Sequence, residues 1–330
     1  MSTCPDCSTP ISEGDRFCEE CGRNLLVRRT PVGGPDGSIA AACVCGSVSI
    51  DAEGFCERCG RAQPSGRERM EFVLPPVAGI SDVGRRRQRN EDSMAFGVVA
   101  DHGVVAVVCD GVASSERAEQ ASQAAADAAA EVLLDAAVDG RDAERATVDA
   151  VAEASVVVAQ LAGGEPQEVA PSCTFVSAVI TDETATIGWV GDSRAYWLAG
   201  NGSRTPSRRL TKDDTWAAQL VDDGVITEAE AKTDHRAHVL SRWLGADAGL
   251  VVPHVVTVHP EESGLFLLCS DGLWNYLQEV EDLAAVMPAD VPPVAVAGAL
   301  TKVALESGGH DNITVVVVPF PPRERGAGER

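Results

Sequence analysis

The segment GVVAVVCDG, residues 103–111, is an apolar run that ends on an aspartate, and this arrangement recurs along the chain. Asp192 follows TIGWVG, Asp271 follows LFLLCS, and Asp311 stands just before NITVVVV. Runs rich in valine, leucine and isoleucine predict strands. A buried carboxylate costs several kcal/mol to desolvate and repels its neighbours. Four aspartates in this setting therefore predict an acidic pocket that binds divalent cations, and metal-assisted chemistry is the first hypothesis.

Strand-like and helix-like segments alternate between about residue 77 and residue 319. Two alanine-rich segments, 118–138 and 143–161, predict consecutive helices. Strand pairs that flank a helical pair predict a mixed sheet fold with helical cover. The predicted strands lie near residues 94–99, 104–109, 174–180, 185–190, 195–198, 265–269 and 313–318.

The charge of the chain argues against two classes of partner. With 27 basic and 50 acidic residues, its net charge is −23. Nonspecific binding to nucleic acid or to an anionic membrane is therefore disfavoured.

No apolar stretch reaches the roughly 18 residues of a membrane-spanning helix, and the first ten residues lack the regions of a signal peptide. These observations predict a soluble, cytoplasmic protein.

Eight of the eleven cysteines lie before residue 60 and form an internal repeat. The first copy has the spacing C-x2-C-x10-C-x2-C, and the second begins one residue tighter, at Cys43-Val44-Cys45. Four thiolates at such spacing bind zinc as a tetrahedron. A unit of about 20 residues has almost no core, so the metal would supply its folding energy. Two structural zinc ions are predicted, with the ligands Cys4, Cys7, Cys18, Cys21, Cys43, Cys45, Cys56 and Cys59.

The repeat and the polar stretches around it predict the division of the chain into domains. Two zinc ribbons, each followed by a linker, would precede one large domain and a disordered tail. The predicted boundaries are 1–26 for ribbon 1, 27–41 for a linker, 42–62 for ribbon 2, 63–76 for a second linker, 77–319 for the large domain and 320–330 for the tail.

The segment SDVGRRRQRNED, residues 81–92, resembles the opening motif of the bacterial metal-dependent protein phosphatases, the PPM or type 2C family. The pattern Ser-Asp-x-Gly-x-x-Arg-x-x-Asn-Glu-Asp matches at every fixed position. Further segments resemble the family's later motifs in the same order along residues 77–319. These segments are Asp110-Gly111, Ser172 to Thr174, Gly191 to Arg194, Leu210 to Asp214, Leu240 to Gly245, Ser270 to Trp274 and Asp311 to Thr314.

This resemblance implies an α+β fold, a four-layer αββα sandwich of two antiparallel sheets flanked by helices. It also implies a serine/threonine protein phosphatase that hydrolyses phosphoserine or phosphothreonine by a metal-bridged hydroxide. Two Mn²⁺ or Mg²⁺ ions, with a weaker third, would occupy the site. By this resemblance, the two ions would be held by Asp92, Asp110, Asp271 and Asp311, with the Gly111 carbonyl as a further ligand. Glu91 would act through water, and Asp192 would help to hold the third ion. Arg87 would clamp the phosphate, and Asn312 would orient Asp311 or a water.

Two other interpretations remain open at this point. The family usually has glycines and a histidine after Asp-Gly, whereas this chain has Val112 to Glu116 (VASSE), so a catalytically weak phosphoprotein-binding regulator is an alternative. In the phosphatase interpretation, phosphorylated proteins would be the partners, and the zinc ribbons would dock the chain to a serine/threonine kinase or its substrates. A nucleic-acid adaptor is the second alternative, but residues 1–70 hold eight basic and ten acidic residues and present no basic excess.

Overall fold

The computed structural model describes residues 2–3, 9–12, 18–20, 27–30, 43, 45–51, 54–61, 63, 65–99, 103–163, 169–200, 202–231, 239–288 and 291–322. Its strands in chain order are β1 (Ser2–Thr3), β2 (Pro10–Ile11), β3 (Val27–Arg29), β4 (Arg69–Leu74), β5 (Val77–Asp82), β6 (Ser93–Val99), β7 (Gly103–Cys109), β8 (Ser172–Cys173), β9 (Phe175–Ile180), β10 (Ala185–Val190), β11 (Arg194–Ala199), β12 (Arg208–Arg209), β13 (Leu244–Gly245), β14 (His254–Val258), β15 (Gly264–Cys269) and β16 (Ile313–Phe320). Its helices are α1 (Ala118–Val138), α2 (Ala143–Gln160), α3 (Trp216–Asp222), α4 (Glu228–Ala231), α5 (Asp271–Trp274), α6 (Val280–Val286) and α7 (Pro293–Glu306).

Two six-stranded sheets, paired antiparallel throughout, form the centre of the large domain. The first has the order β14-β10-β9-β7-β6-β3, and the second has the order β12-β11-β15-β16-β5-β4. Side chains alternate across each sheet: Met94 and Phe96 of β6 pack between the two sheets, whereas Ala95 faces α1 and α2. Helices α5, α6 and α7 cover the outer face of the second sheet. The predicted four-layer αββα sandwich is confirmed.

Alanine determines how α1 packs on the first sheet. The helix buries Ala121, Ala125 and Ala129 at helical spacing, so its backbone can approach the valines of the sheet closely. Both ends of α1 coincide with the predicted segment, and α2 ends one residue before its predicted end. No helix in the described part of the chain is long and apolar enough to cross a membrane.

The structure differs from the predicted domain boundaries at two strands. Strand β4 lies in the predicted linker 63–76 and pairs with β5 along its whole length. Strand β3 lies in the predicted linker 27–41 and pairs with β6. Both are edge strands, and edge strands carry charged residues such as Arg69 and Glu71 on their exposed side. That polarity is the reason for the incorrect linker assignment, and the large domain begins before residue 77.

Parts of two other predicted elements lie outside the described residues. Ribbon 1 is described only in pieces, so that Cys18 is seen as a buried residue while Cys4, Cys7 and Cys21 fall outside. In the predicted tail, Phe320 belongs to β16, and residues 323–330 fall outside the described chain. The remaining division into domains stays a prediction.

Strand register brings the predicted site residues to one end of the sandwich. Ser93 at the start of β6 pairs with Cys109 at the end of β7, which places Asp92 beside Asp110. Arg194 pairs with Cys269, so that the loops carrying Asp192 and Asp271 adjoin. Ile313 pairs with Asp82 and thereby places Asp311 next to the segment that follows β5. Both sheets therefore contribute to one acidic site.

Candidate metal centre

Asp92 precedes β6 and is fully buried. Its Oδ2 accepts hydrogen bonds from Ser270 Oγ and from Thr314 Oγ1, both at 2.7 Å. Its Oδ1 is buried and receives no hydrogen bond within the part of the chain that the structure describes. Burial raises the pKa of Asp92 to about 6. A carboxylate that is oriented through one oxygen and lacks a donor at the other is suited to bind a cation.

Asp110 follows β7 and is tied to two other loops. Its backbone N–H donates to Thr174 Oγ1 at 3.1 Å, and that hydroxyl lies 2.7 Å from Ser193 Oγ. The next N–H, of Gly111, donates to the Glu91 carbonyl at 3.2 Å. Burial raises the pKa of Asp110 well above its usual value, and neighbouring negative charges raise it further. Those charges belong to Asp92, Asp271, Asp192 and Asp311.

Two glycines allow the segment that carries Asp311 to pack tightly against its neighbours. Asp271 begins α5, and a Cβ on Gly272 would lie 1.9 Å from the Asn312 carbonyl oxygen. A Cβ on Gly84, whose φ is +78°, would lie 2.2 Å from the Asp311 carbonyl oxygen. Any side chain at either position would push these backbones apart. Burial raises the pKa of Asp271 well above its usual value.

Asn312 joins the Asp311 segment to the segment that precedes β6. Its Oδ1 accepts a hydrogen bond from the Glu91 N–H at 2.8 Å, and its Nδ2 donates to the carbonyls of Val83 and Arg89, both at 2.9 Å. The Asn312 backbone N–H donates to Asp311 Oδ1 at 2.9 Å. The amide side chain therefore positions the loop, and the backbone of the same residue orients Asp311.

Arg87 lies at the accessible side of the acidic site. Its Nη2 donates to Asp311 Oδ2 at 2.6 Å, and this hydrogen bond raises the pKa of Arg87. Its side chain keeps 36% of its surface exposed. Burial raises the pKa of the neighbouring Glu91, while the positive charge of Arg87 opposes that rise. Arg87 is therefore an accessible cation within reach of the carboxylates.

Asp192 lies in the turn between β10 and β11 and is buried. Burial, followed by the charge of Asp213, raises its pKa to about 7. The carbonyl of Asp192 accepts a hydrogen bond from Trp274 Nε1 at 2.9 Å. Arg194 binds Asp213 through two hydrogen bonds of 2.9 and 2.6 Å, and its Cζ lies 3.6 Å from the Trp274 ring. The turn that presents Asp192 is thus held from both sides.

These carboxylates share one region: besides burial, the negative charges of Asp92, Asp192 and Asp311 raise the pKa values of Asp110 and Asp271. They do not converge on a single point: among the described residues, four cysteines form the only group of three or more His, Cys, Asp or Glu side chains whose ligand atoms all lie within 4.8 Å of one another. Mutual repulsion keeps like charges apart. Two of these carboxylates, Asp92 and Asp192, are buried, and Asp92 Oδ1 has no hydrogen-bond partner among the described residues. Carboxylate oxygens are hard donors, and such a donor set fits Mn²⁺ or Mg²⁺.

Sequence reasoning missed three residues that orient this site. Ser270 and Thr314 lie inside the segments that resemble the family's motifs, and the position of Ser270 directly before Asp271 is the signal in the sequence that points to it. Arg67 lies in the predicted linker and is 1% exposed. Its Nη2 donates to the Asp92 carbonyl at 3.0 Å. No local pattern indicated that an arginine in a polar stretch would be buried against the site.

A cleft of about 370 Å³ opens beside the Asp192 turn, and its polar lining includes Lys212 and Arg242. His254 stacks on Trp189 with ring centroids 4.9 Å apart, and its Nε2 lies 2.9 Å from Asp214 Oδ1. The Asp214 N–H donates to the Gly191 carbonyl at 2.9 Å, and the Gly191 N–H donates to Asp214 Oδ2 at 3.0 Å, which joins Asp214 to the residue before Asp192. The cleft therefore borders the acidic site and offers polar contacts to a ligand that extends beyond it.

The second cysteine copy forms a compact thiol cluster. Cys43 Sγ lies 3.7 Å from Cys59 Sγ, and Cys45 Sγ lies 3.5 Å from Cys56 Sγ. All four sulfur atoms lie within 4.8 Å of one another. A tetrahedron with Zn–S bonds of about 2.3 Å has sulfur atoms about 3.8 Å apart. The observed spacing fits that geometry despite the shortened Cys43-Val44-Cys45 pair.

Comparison with known proteins shows which family this chain belongs to. A family model described as Protein phosphatase 2C matches residues 83–299. The serine/threonine protein phosphatase PstP of Mycobacterium tuberculosis is 33% identical over 251 residues, which cover 76% of this chain and 45% of PstP. The serine/threonine phosphatase stp of Listeria monocytogenes is 27% identical over 248 residues, covering 74% of this chain and 96% of stp. This chain spans less than half the length of the PstP that it matches.

A solved structure extends the comparison to three dimensions. The catalytic domain of PstP in complex with two manganese ions matches with a TM-score of 0.57 and 31% identity, covering 73% of this chain and 96% of that domain. The family model covers well over half of the chain, and the resemblance inferred from the ordered motifs is confirmed. The chain belongs to the protein phosphatase 2C family.

Proposed function

We propose that this chain is a metal-dependent phosphatase that hydrolyses phosphoserine and phosphothreonine in proteins. The observation that carries the proposal is the buried Asp92, which two hydroxyls orient at Oδ2 and which has no donor at Oδ1 among the described residues. It lies beside Asp110, whose pKa is raised by burial and then by the negative charges of Asp92 and three neighbouring aspartates. Such a cluster is costly unless cations neutralise it, and two-metal sites are suited to phosphate ester hydrolysis.

We assign the following roles to the residues of the site. Two Mn²⁺ or Mg²⁺ ions would be held by Asp92, Asp110, Asp271 and Asp311, with the Gly111 carbonyl as a further ligand. Glu91 would act through water, and Asp192 would help to hold a third ion. When bound, the ions would supply Lewis-acid activation of water and neutralise the charge of the phosphate. Arg87 would bind phosphate oxygens, because a guanidinium can donate to two of them at once.

The substrates would be phosphorylated proteins. The named relatives are serine/threonine phosphatases, and the polar cleft beside Asp192 offers space for residues that flank a phosphorylated side chain. A serine/threonine kinase or its substrates are the partners that this chemistry predicts. The cytoplasmic location inferred from the sequence stays a prediction.

Hydrolysis of a phosphothreonine peptide by the purified full chain tests the proposal. We expect turnover with Mn²⁺ and no turnover after the protein is treated with EDTA, because the carboxylates would then lack the ions they orient. Phosphate release is measured with a matched phosphotyrosine peptide beside it. Turnover that persists in EDTA would contradict the metal-dependent mechanism.

The second candidate, a phosphoprotein-binding regulator, is motivated by the loop after Gly111. Hydrogen bonds tie this loop to Ser172: the Val112 N–H donates to the Ser172 carbonyl at 3.0 Å, and the Ser115 hydroxyl donates to the same carbonyl at 3.4 Å. If the Mn²⁺-loaded protein binds the phosphothreonine peptide without releasing phosphate, the regulator becomes the better interpretation.

We further propose that the chain binds structural zinc through its two cysteine copies, and that the ribbons dock protein partners. The thiol spacing at Cys43, Cys45, Cys56 and Cys59 supports the second site. We expect Cys45→Ser to remove one zinc ion per chain, because three thiolates hold the ion far less tightly. Elemental analysis of the purified protein measures the zinc content. An unchanged content in the variant would exclude this cluster as a zinc site.

A further inference from the structure

The second cysteine cluster lies directly against the segment that leads to Asp92. The Cζ of Arg89 lies 4.2 Å from the centroid of the Phe55 ring. A Cβ added to Gly54 would lie 3.0 Å from Arg89 Nη2, so the backbone of this turn also contacts the guanidinium. Phe55 precedes Cys56, and Arg89 is three residues before Asp92. One contact therefore links the two candidate metal sites.

Phe55 is positioned by the small structure around the thiols. Its N–H donates to Asp51 Oδ1 at 2.8 Å, and its carbonyl accepts the Asp51 N–H at 2.9 Å. The backbone of Cys56 forms an isolated antiparallel β-bridge with Ile50, and the Cys56 sulfur lies 3.5 Å from the Cys45 sulfur. A ribbon of this size has no core that could hold the turn without metal. Zinc binding would therefore decide whether the Phe55 ring is held against Arg89.

The Phe55 ring covers part of the Arg89 side chain. Its side chain is 29% exposed, and its Nε is buried without an acceptor among the described residues. Its Nη1 donates to Glu119 Oε2 at 3.3 Å. A guanidinium over an aromatic face gains about 0.5–2 kcal/mol, with the larger values where water is excluded. The Phe55 ring thus offsets part of the cost of burying Arg89.

Two routes lead from Arg89 to the candidate ligands of the acidic site. Glu119, which binds Arg89, also lies 3.1 Å from Arg67 Nη1, and Arg67 Nη2 donates to the Asp92 carbonyl. The Arg89 carbonyl accepts a hydrogen bond from Asn312 Nδ2 at 2.9 Å. Displacement of Arg89 would therefore disturb the backbone on both sides of the site.

We propose that zinc binding at the Cys43, Cys45, Cys56 and Cys59 cluster is coupled to Mn²⁺ binding at the carboxylate site through the contact between Phe55 and Arg89. This inference rests on the phosphatase metal centre proposed above. Arg89 acts as a positioning residue: the zinc-bound ribbon holds it, and it holds the Asp92 segment in the orientation that binds Mn²⁺. Coupling of this kind is reciprocal, so Mn²⁺ raises the affinity of the ribbon for zinc by the same factor.

Calorimetric titration of the full-length protein with Mn²⁺ tests the coupling without relying on turnover. We expect Phe55→Ala to bind Mn²⁺ about fivefold more weakly than the wild type, the factor that corresponds to one cation–π contact. Phe55→Tyr retains an aromatic face and should bind like the wild type. Val48→Ala is the matched control, since Val48 lies in the same ribbon and is 76% exposed. Equal Mn²⁺ affinity in Phe55→Ala and the wild type, with zinc content unchanged, would overturn the proposal.

Removal of the zinc itself is the second arm. Cys45→Ser, with the large domain shown to be folded by circular dichroism, should weaken Mn²⁺ binding at least as much as Phe55→Ala. Wild-type Mn²⁺ affinity in this variant would also overturn the coupling. Phosphopeptide turnover separates the two proposals. Turnover with the same Mn²⁺ dependence in all variants contradicts the coupling alone, whereas coupled Mn²⁺ binding without any turnover contradicts the phosphatase function alone.

Discussion

Asp92→Asn is expected to lower kcat for a phosphothreonine peptide by about 1,000-fold or more, because loss of a metal ligand removes several kcal/mol of transition-state stabilisation. The amide retains the shape of the side chain, and its oxygen can still accept from Ser270 or Thr314. The substitution removes the negative charge of the Asp92 carboxylate, whose Oδ1 has no hydrogen-bond partner among the described residues. Initial rates over a range of Mn²⁺ concentrations measure the effect.

Two further variants separate ligand loss from a general disturbance. Ser270→Ala removes one hydroxyl that orients Asp92 and should cost about 10- to 100-fold in Mn²⁺ affinity or activity, as is usual for residues that orient metal ligands. Asp82→Asn makes the same acid-to-amide change ten residues earlier, where the side chain accepts from the Gly84 N–H and from Arg69. It should leave kcat near that of the wild type. Equal losses in Asp92→Asn and Asp82→Asn would rule out the ligand role.

Arg67→Ala is expected to lower the free energy of unfolding by about 3–5 kcal/mol, the usual cost of removing one partner from a buried ion pair. Arg67 is 1% exposed and binds Glu119, Gln123 and the Asp92 carbonyl at 2.9–3.1 Å. Alanine would leave the buried Gln123 Oε1 and the Asp92 carbonyl without this donor, and Glu119 would keep its contact with Arg89. Denaturant unfolding of the full-length protein in EDTA measures the loss without a contribution from bound Mn²⁺.

Arg69→Ala is the control for this experiment. Arg69 lies two residues further along, in β4, and its Nη1 lies 2.8 Å from Asp82 Oδ2. Its side chain is 47% exposed, and ion pairs of that kind contribute below about 1 kcal/mol. If the two variants lose stability equally, the burial of Arg67 is not what stabilises this end of the sandwich.

The strands that carry the acidic site were predictable because each is a dense apolar run. Asp110, Asp192, Asp271 and Asp311 stand at the ends of such runs, and a strand inside a two-sheet core has to leave the core where its apolar residues end. Helix α1 was predictable over its full length because alanine and acidic residues repeat through it without interruption. Strands β3 and β4 were missed because edge strands carry charged residues that resemble a linker.

The roles of the orienting residues had no comparable signal. Ser270 lies 178 residues from Asp92 in the chain, and Thr314 lies 222 residues away, yet both donate to the same oxygen. The contact of Phe55 with Arg89 joins residues that the predicted domain boundaries placed in separate domains. Pairings over such separations leave no periodicity or spacing in the sequence.

The sequence by itself determined the thiol set through the spacing of its cysteines. It determined the family, the four-layer fold and the candidate ligands through the resemblance that its ordered motifs carry. The tertiary structure decided which groups orient those ligands, where Arg67 is buried, and where the second ribbon docks. These features depend on strand register and on the packing of distant segments, and only the folded chain brings the residues concerned into contact.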